Sequence, residues 1–191
     1  MQNNYIVRQI NAFAMQDGIV LGIFGLTSLW VFKWSFTMPF FSTLFGVMLL
    51  GSPALGLALT LRFRTRAVGQ TGGFSFFHGF LHALFMGFYA SIWVALGTFI
   101  YLQYFDHGTL FAAYEQSLQT PQMAQYLNES GLMVSLNTLT NGNGVKGIGD
   151  IMRNVGAANY AAISLYNSLI IGPVIAAIIG LIARRSTRRG R

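Results

Sequence analysis

Long apolar runs alternate with short polar breaks between Gly18 and Ala183. A helix that crosses about 30 Å of hydrocarbon needs roughly 20 mostly apolar residues. Four runs meet that length, over about 18–36, 40–61, 76–101 and 160–183. The pattern predicts an all-α, polytopic membrane protein with four transmembrane helices, folded as one membrane domain over 1–191. Pro39 precedes the second run, while Pro53 and Pro173 fall inside the second and fourth and are expected to kink them. The uncharged stretch from Phe74 to Phe105 exceeds one span. Its last turns, with Tyr101 and Tyr104, are expected to protrude or lie in the interface. The first run ends in Lys33 and aromatics and has no small-x-small site, so it is expected to be a span and not a cleaved leader.

The connection over 106–159 is polar but patterned. Leu110, Phe111, Tyr114 and Leu118 share one helical face. Thr120-Pro121 reads as an N-cap followed by proline at the first helical position. A second short helix carries Met123, Tyr126 and Leu127, and Gly131 stops it. Thr140 to Gly144 is a turn cluster. Ile148, Ile151, Met152 and Val155 then recur at helical spacing. Short amphipathic helices lying on the outer membrane face or capping the bundle are expected.

Composition agrees with lipid as solvent. Of 191 residues, 53% are hydrophobic and 9% charged, against about 25% charged in soluble domains. Cysteine is absent, which excludes disulfides and thiolate chemistry. The formal net charge of +7 is unevenly placed. Arg8, Arg62, Arg64, Arg66, Arg184, Arg185, Arg188, Arg189 and Arg191 fall at one side of the predicted spans. Lys33, Lys146 and Arg153 fall at the other. Positive loops stay cytoplasmic, so both termini are expected inside a bacterial inner membrane, with 106–159 outside and 184–191 a basic cytoplasmic tail. Arg62, Arg64, Arg66 and the tail arginines Arg184, Arg185, Arg188 and Arg189 are expected to meet anionic headgroups and set topology. No recognition module accompanies that charge, so nucleic acid is not an expected partner.

Helices in lipid associate through small residues that let backbones approach. Gly79, Ala83, Gly87, Ser91 and Ala95 recur every four residues along the third run. Gly172, Ala176 and Gly180 do so on the fourth, Ser52, Gly56 and Thr60 on the second, and Gly18 and Gly22 on the first. A tight bundle is expected. The spacing leaves open whether these stripes meet within one chain or between chains.

Candidate chemistry is sparse. His78 and His82 share a helix face, as paired metal ligands do, but the glutamate of H-E-x-x-H is missing. Asp17, at the near end of the first run, is the one carboxylate at that depth. The favoured reading is two interfacial, hydrogen-bonded histidines with no metal and no cofactor. His107 lies on the opposite side. No ionisable residue falls near mid-span, which argues against proton-coupled transport. The polar groups Asn167, Ser91, Ser52 and Ser164 are the material for any path through the bundle. Gly69 to Gly73 lacks the strand and lysine of a phosphate loop and reads as a plain turn.

The Phe74 to Phe80 segment, continuing through Tyr101 and Asp106, resembles a family of small inner-membrane proteins, mostly from Bacteroidota: the domain-of-unknown-function family numbered forty-one ninety-nine. Arg62 to Arg66, the Phe74 to Gly79 entry, the Tyr101 to Asp106 exit and the Ile170 to Arg185 ending follow that family's order. Gln116 to Gly144 departs from it, being less charged. The resemblance implies no activity. It does imply a class of partner, because genes of that family neighbour glycosyltransferases that use polyprenyl phosphate.

The leading expectation is a non-enzymatic accessory or structural subunit that packs against a larger membrane protein or membrane-bound enzyme, or against itself. Two alternatives stand beside it: a small transporter or pore for an uncharged or lipidic solute, and a membrane enzyme using His78 and His82.

Overall fold

The computed structural model of the chain describes residues 2–68 and 73–185, with side chains over 7–67 and 73–185. Eight α-helices follow in order over these residues: α1 Gln2–Ser35, α2 Pro39–Val68, α3 Phe76–Ile100, α4 Thr109–Leu118, α5 Pro121–Glu129, α6 Leu132–Leu139, α7 Gly144–Val155 and α8 Ala157–Ala183. A π-helical turn, Tyr101–Phe105, extends α3. Four of the helices (α1, α2, α3 and α8) are long and apolar enough to cross a membrane.

The first helix begins well before the expected span: α1 continues unbroken on the N-terminal side of Gly18. Ile10 and Ala14 are buried and supply the contacts that hold these extra turns. α2 likewise runs on past Leu61 through the arginines to Val68. Pro39 opens α2, where a missing N–H costs nothing. Ser75 caps α3, its hydroxyl accepting from the His78 N–H at 3.3 Å.

α3 is the centre of the bundle. It packs against α8 on one side and α1 on the other, and α2 leans chiefly on α1. The basic ends of the helices meet. Ile10, Phe63, Phe74 and Ala183 form one buried cluster there, and Phe74 and Arg185 exchange two backbone hydrogen bonds. That end is called basic below, and the opposite end distal.

At the distal end, α4, α5 and α7 form where the pattern predicts them, with Gly131 in a left-handed conformation (φ +72°) after α5. α6 was not expected; Leu132–Leu139 carries no strong capping signal. α4 and α7 lie together, tied by Arg153, which reaches Glu115 at 3.4 Å and Asp150 at 3.0 Å.

Candidate functional site

Three polar side chains from three helices meet inside the basic half of the bundle. The His82 Nδ1 lies 3.1 Å from the Thr60 hydroxyl oxygen, which itself donates to the Gly56 carbonyl at 2.9 Å. The other ring nitrogen, Nε2, faces the Asp17 carboxylate at 3.4 Å. Thr60 and His82 are completely buried, and Asp17 nearly so. The imidazole lies flat on the Phe63 ring, with centroids 4.4 Å apart and planes 4° from parallel.

The geometry sets the protons. With the Thr60 hydrogen committed to Gly56, its oxygen accepts from Nδ1–H. Nε2 faces the Asp17 carboxyl without a hydrogen bond among the described residues, so their contact is electrostatic. A buried charge is tolerated only when paired, and Asp17 and His82 answer one another. At 1.5 Å per residue, His82 stands about 9 Å along α3 from Phe76.

The two histidines do not form a shared site. His78 is half-buried against the Phe74 ring, 5.8 Å between centroids. Among the described residues no group of three His, Cys, Asp or Glu side chains could hold a metal. The expectation that both histidines sit at the interface is corrected for His82, which is a core residue. Asp17 is likewise no helix-end residue, because α1 extends beyond it. Thr60 is the member that sequence reasoning missed as a partner. It entered only as a small residue, and nothing in its spacing marks it as facing His82.

The small-residue stripes meet within this one chain at the basic half. A Cβ on Gly79 would stand 3.1 Å from the Gly180 Cα, and one on Gly180 would stand 2.9 Å from the Phe80 backbone nitrogen. Ala83, Ala176 and Ile179 continue that contact. Gly18 and Gly22 of α1 take the Tyr89 and Trp93 side chains of α3.

Farther along, the stripe is left open within this chain. Gly87 and Gly172 have no neighbour within 4 Å of an added Cβ. Together with Ser52, Pro53, Gly56, Ser91 and Pro173 they border a cleft of about 350 Å³ between α2, α3 and α8. The physical reason is α2. It meets α3 and α8 sparingly, and its distal half is exposed at Val47, Leu49 and Leu50. Pro53 and Pro173 each remove an N–H from their own helix ladder beside this opening.

A second, larger cavity of about 680 Å³ lies at the distal end, beneath α4 and α7, and shares Asn167 with the cleft. Neither cavity is lined by Asp17, Thr60 or His82.

The basic end shows a division of labour. Arg62 and Arg66 are exposed. Arg64 instead turns inward and donates to the Ala183 carbonyl at 2.9 Å, satisfying an orphan group at the end of α8. Arg184 and Arg185 are exposed. Arg188 and Arg189, and the turn over 69–72, lie outside the described residues.

A family model described as "Protein of unknown function (DUF4199)" matches residues 16–185. No curated protein and no solved structure matches the chain.

Proposed function

The chain belongs to this family of unknown function, and from that premise we propose that it is a non-enzymatic accessory subunit which seats a helix of another membrane protein in the cleft between α2 and α8. The observation that carries the reading is the unfilled small-residue face at Gly87 and Gly172. Small residues hold helices together in lipid by letting backbones approach. At the basic half this chain supplies its own partner helix for the stripe. At mid-bundle it supplies none. The proposed orientation has the basic end in the cytoplasm of a bacterial inner membrane, following the distribution of positive charge, with anionic headgroups around Arg62, Arg66 and the tail. A polyprenyl-phosphate glycosyltransferase is one membrane-bound partner in keeping with the reading.

Affinity purification in mild detergent tests it. A second polypeptide should co-purify in fixed stoichiometry with the wild type. It should be lost from Gly172→Leu, which fills the cleft, while gel filtration shows that variant folded. Recovery of a monodisperse self-oligomer alone would contradict the reading.

A second reading, passage of an uncharged or lipidic solute, is favoured by Asn167 lining both cavities. It requires the basic half to open, where Phe63, Phe74, Met86 and Ala183 are buried. Flux into protein-loaded liposomes above a protein-free control would support it.

A further inference from the structure

The distal cavity is a chamber held open by its edges. Phe36, in the turn after α1, meets the Tyr114 ring edge-on at 5.4 Å between centroids. Phe111 of α4 packs on Tyr160 of α8 at 5.3 Å. The Tyr160 hydroxyl donates to the Met152 carbonyl of α7 at 2.9 Å. Roof helices pinned to α1 and α8 in this way cannot drop into the space below them. The void is therefore built in, and at about 680 Å³ it falls within the roughly 300–1,000 Å³ of ligand pockets.

Its contents follow from its walls. No carboxylate, lysine, arginine or histidine lines it. The hydroxyls of Thr98, Tyr101 and Tyr160 are already committed to Val94, Asp106 and Met152, which leaves the Tyr114, Ser164 and Asn167 side chains as the remaining hydroxyl and amide groups of the wall. Water needs two to four polar partners to stay in a cavity, so few waters could be held. An empty space of this size would forfeit the dispersion contacts of its whole lining. Hydrocarbon fills it without either cost. Entry is lateral: α1 and α8 scarcely touch, and Trp30 and Ile163, which line the chamber, are also exposed.

The rim adds a charge. The Lys33 ammonium lies 5.4 Å from the centre of the Tyr101 ring and pairs with no carboxylate among the described residues. The carboxylate beyond Tyr101, Asp106, is fully buried. Its Oδ1 accepts from the Tyr101 and Thr109 hydroxyls and the Leu110 N–H, while its Oδ2 has no hydrogen-bond partner among the described residues. An apolar chamber with a cation at its rim fits an anionic amphiphile. We infer that this chamber holds one acyl chain of a membrane phospholipid from the distal leaflet, with its phosphate at Lys33. The inference does not rest on the partner-helix reading, since the two cavities share only Asn167 among their lining residues.

The test is native mass spectrometry of the full chain released from nanodiscs of phosphatidylethanolamine and phosphatidylglycerol. The wild type should keep one phospholipid. Ser164→Phe and Leu110→Trp, which fill the chamber from different helices, should lose it. Two chamber variants are used so that one decides if the other fails to fold by gel filtration. Ile178→Phe, at an exposed position that lines neither cavity, should keep it, and Lys33→Gln should retain several-fold less. Release of the bare wild-type chain would overturn the inference. So would equal retention by the folded chamber variants, or a bound mass without phosphorus such as detergent or an isoprenoid alcohol.

Discussion

His82 presents its Nε2 to the Asp17 carboxylate across 3.4 Å, and neither side chain has more than a trace of exposed surface. The pair joins α1 to α3, and Thr60 adds α2, so three spans are fastened at one level of the bundle. Each group is tolerable there only because the other is present.

Removing both partners should therefore cost less than the two single removals added together. His82→Leu leaves a buried carboxylate unanswered, a loss of about 3–5 kcal/mol for a broken buried pair. Asp17→Leu should do the same from the other side. The double variant should lose clearly less than the sum of the two. Thermal unfolding in one detergent measures all four proteins; additive losses would contradict the pairing.

Glycines along the same stripe should differ sharply. A Cβ at Gly180 would press on the Phe80 nitrogen and on the Phe76 carbonyl oxygen at 3.0 Å. These are backbone atoms that cannot swing aside. Gly180→Val is expected to lose about 1–3 kcal/mol by overpacking. Gly87→Ala and Gly172→Ala enter open space and relieve a helical glycine, which is up to about 1 kcal/mol worse than alanine. They should be neutral or stabilising in the same unfolding measurement.

Arg64 and Arg62 offer a contrast between a cap and a surface charge. Arg64→Gln removes the guanidinium that serves the Ala183 carbonyl. A hydrogen bond to a charged group contributes about 1.5–3 kcal/mol. Faster amide exchange is expected at the end of α8. Arg62→Gln, on an exposed side chain, should leave that exchange unchanged.

The spans were legible because lipid imposes a simple rule on length and apolarity, and Thr120-Pro121 and Gly131 announced α5 through capping chemistry. The start of α1 was not legible. Asn11, Gln16 and Asp17 are polar enough to read as a tail, yet Ile10, Ala14 and Asp17 point into the bundle. The His82 site was half legible. Sequence placed Asp17 and the histidines at one depth, but depth does not give rotation about the helix axis. Rotation sends His82 inward and leaves His78 at the edge. The cleft was not legible for a related reason. A stripe of small residues marks where a helix can come close, and says nothing about whether one does.

The absence of cysteine gives a clean background for testing orientation. Glu129→Cys in α5 and Thr65→Cys near the end of α2 are both exposed positions. A membrane-impermeant maleimide should label Glu129→Cys in intact cells whose outer barrier has been removed. It should label Thr65→Cys only after lysis. The reverse pattern would invert the proposed topology.

A photoreactive residue placed at Gly172 inside the native membrane reads the cleft most directly. The expected product is a discrete adduct with a second, different polypeptide, absent when the same residue replaces the exposed Ile178. Adducts with lipid alone, or with another copy of this chain, would contradict a seat for a partner helix.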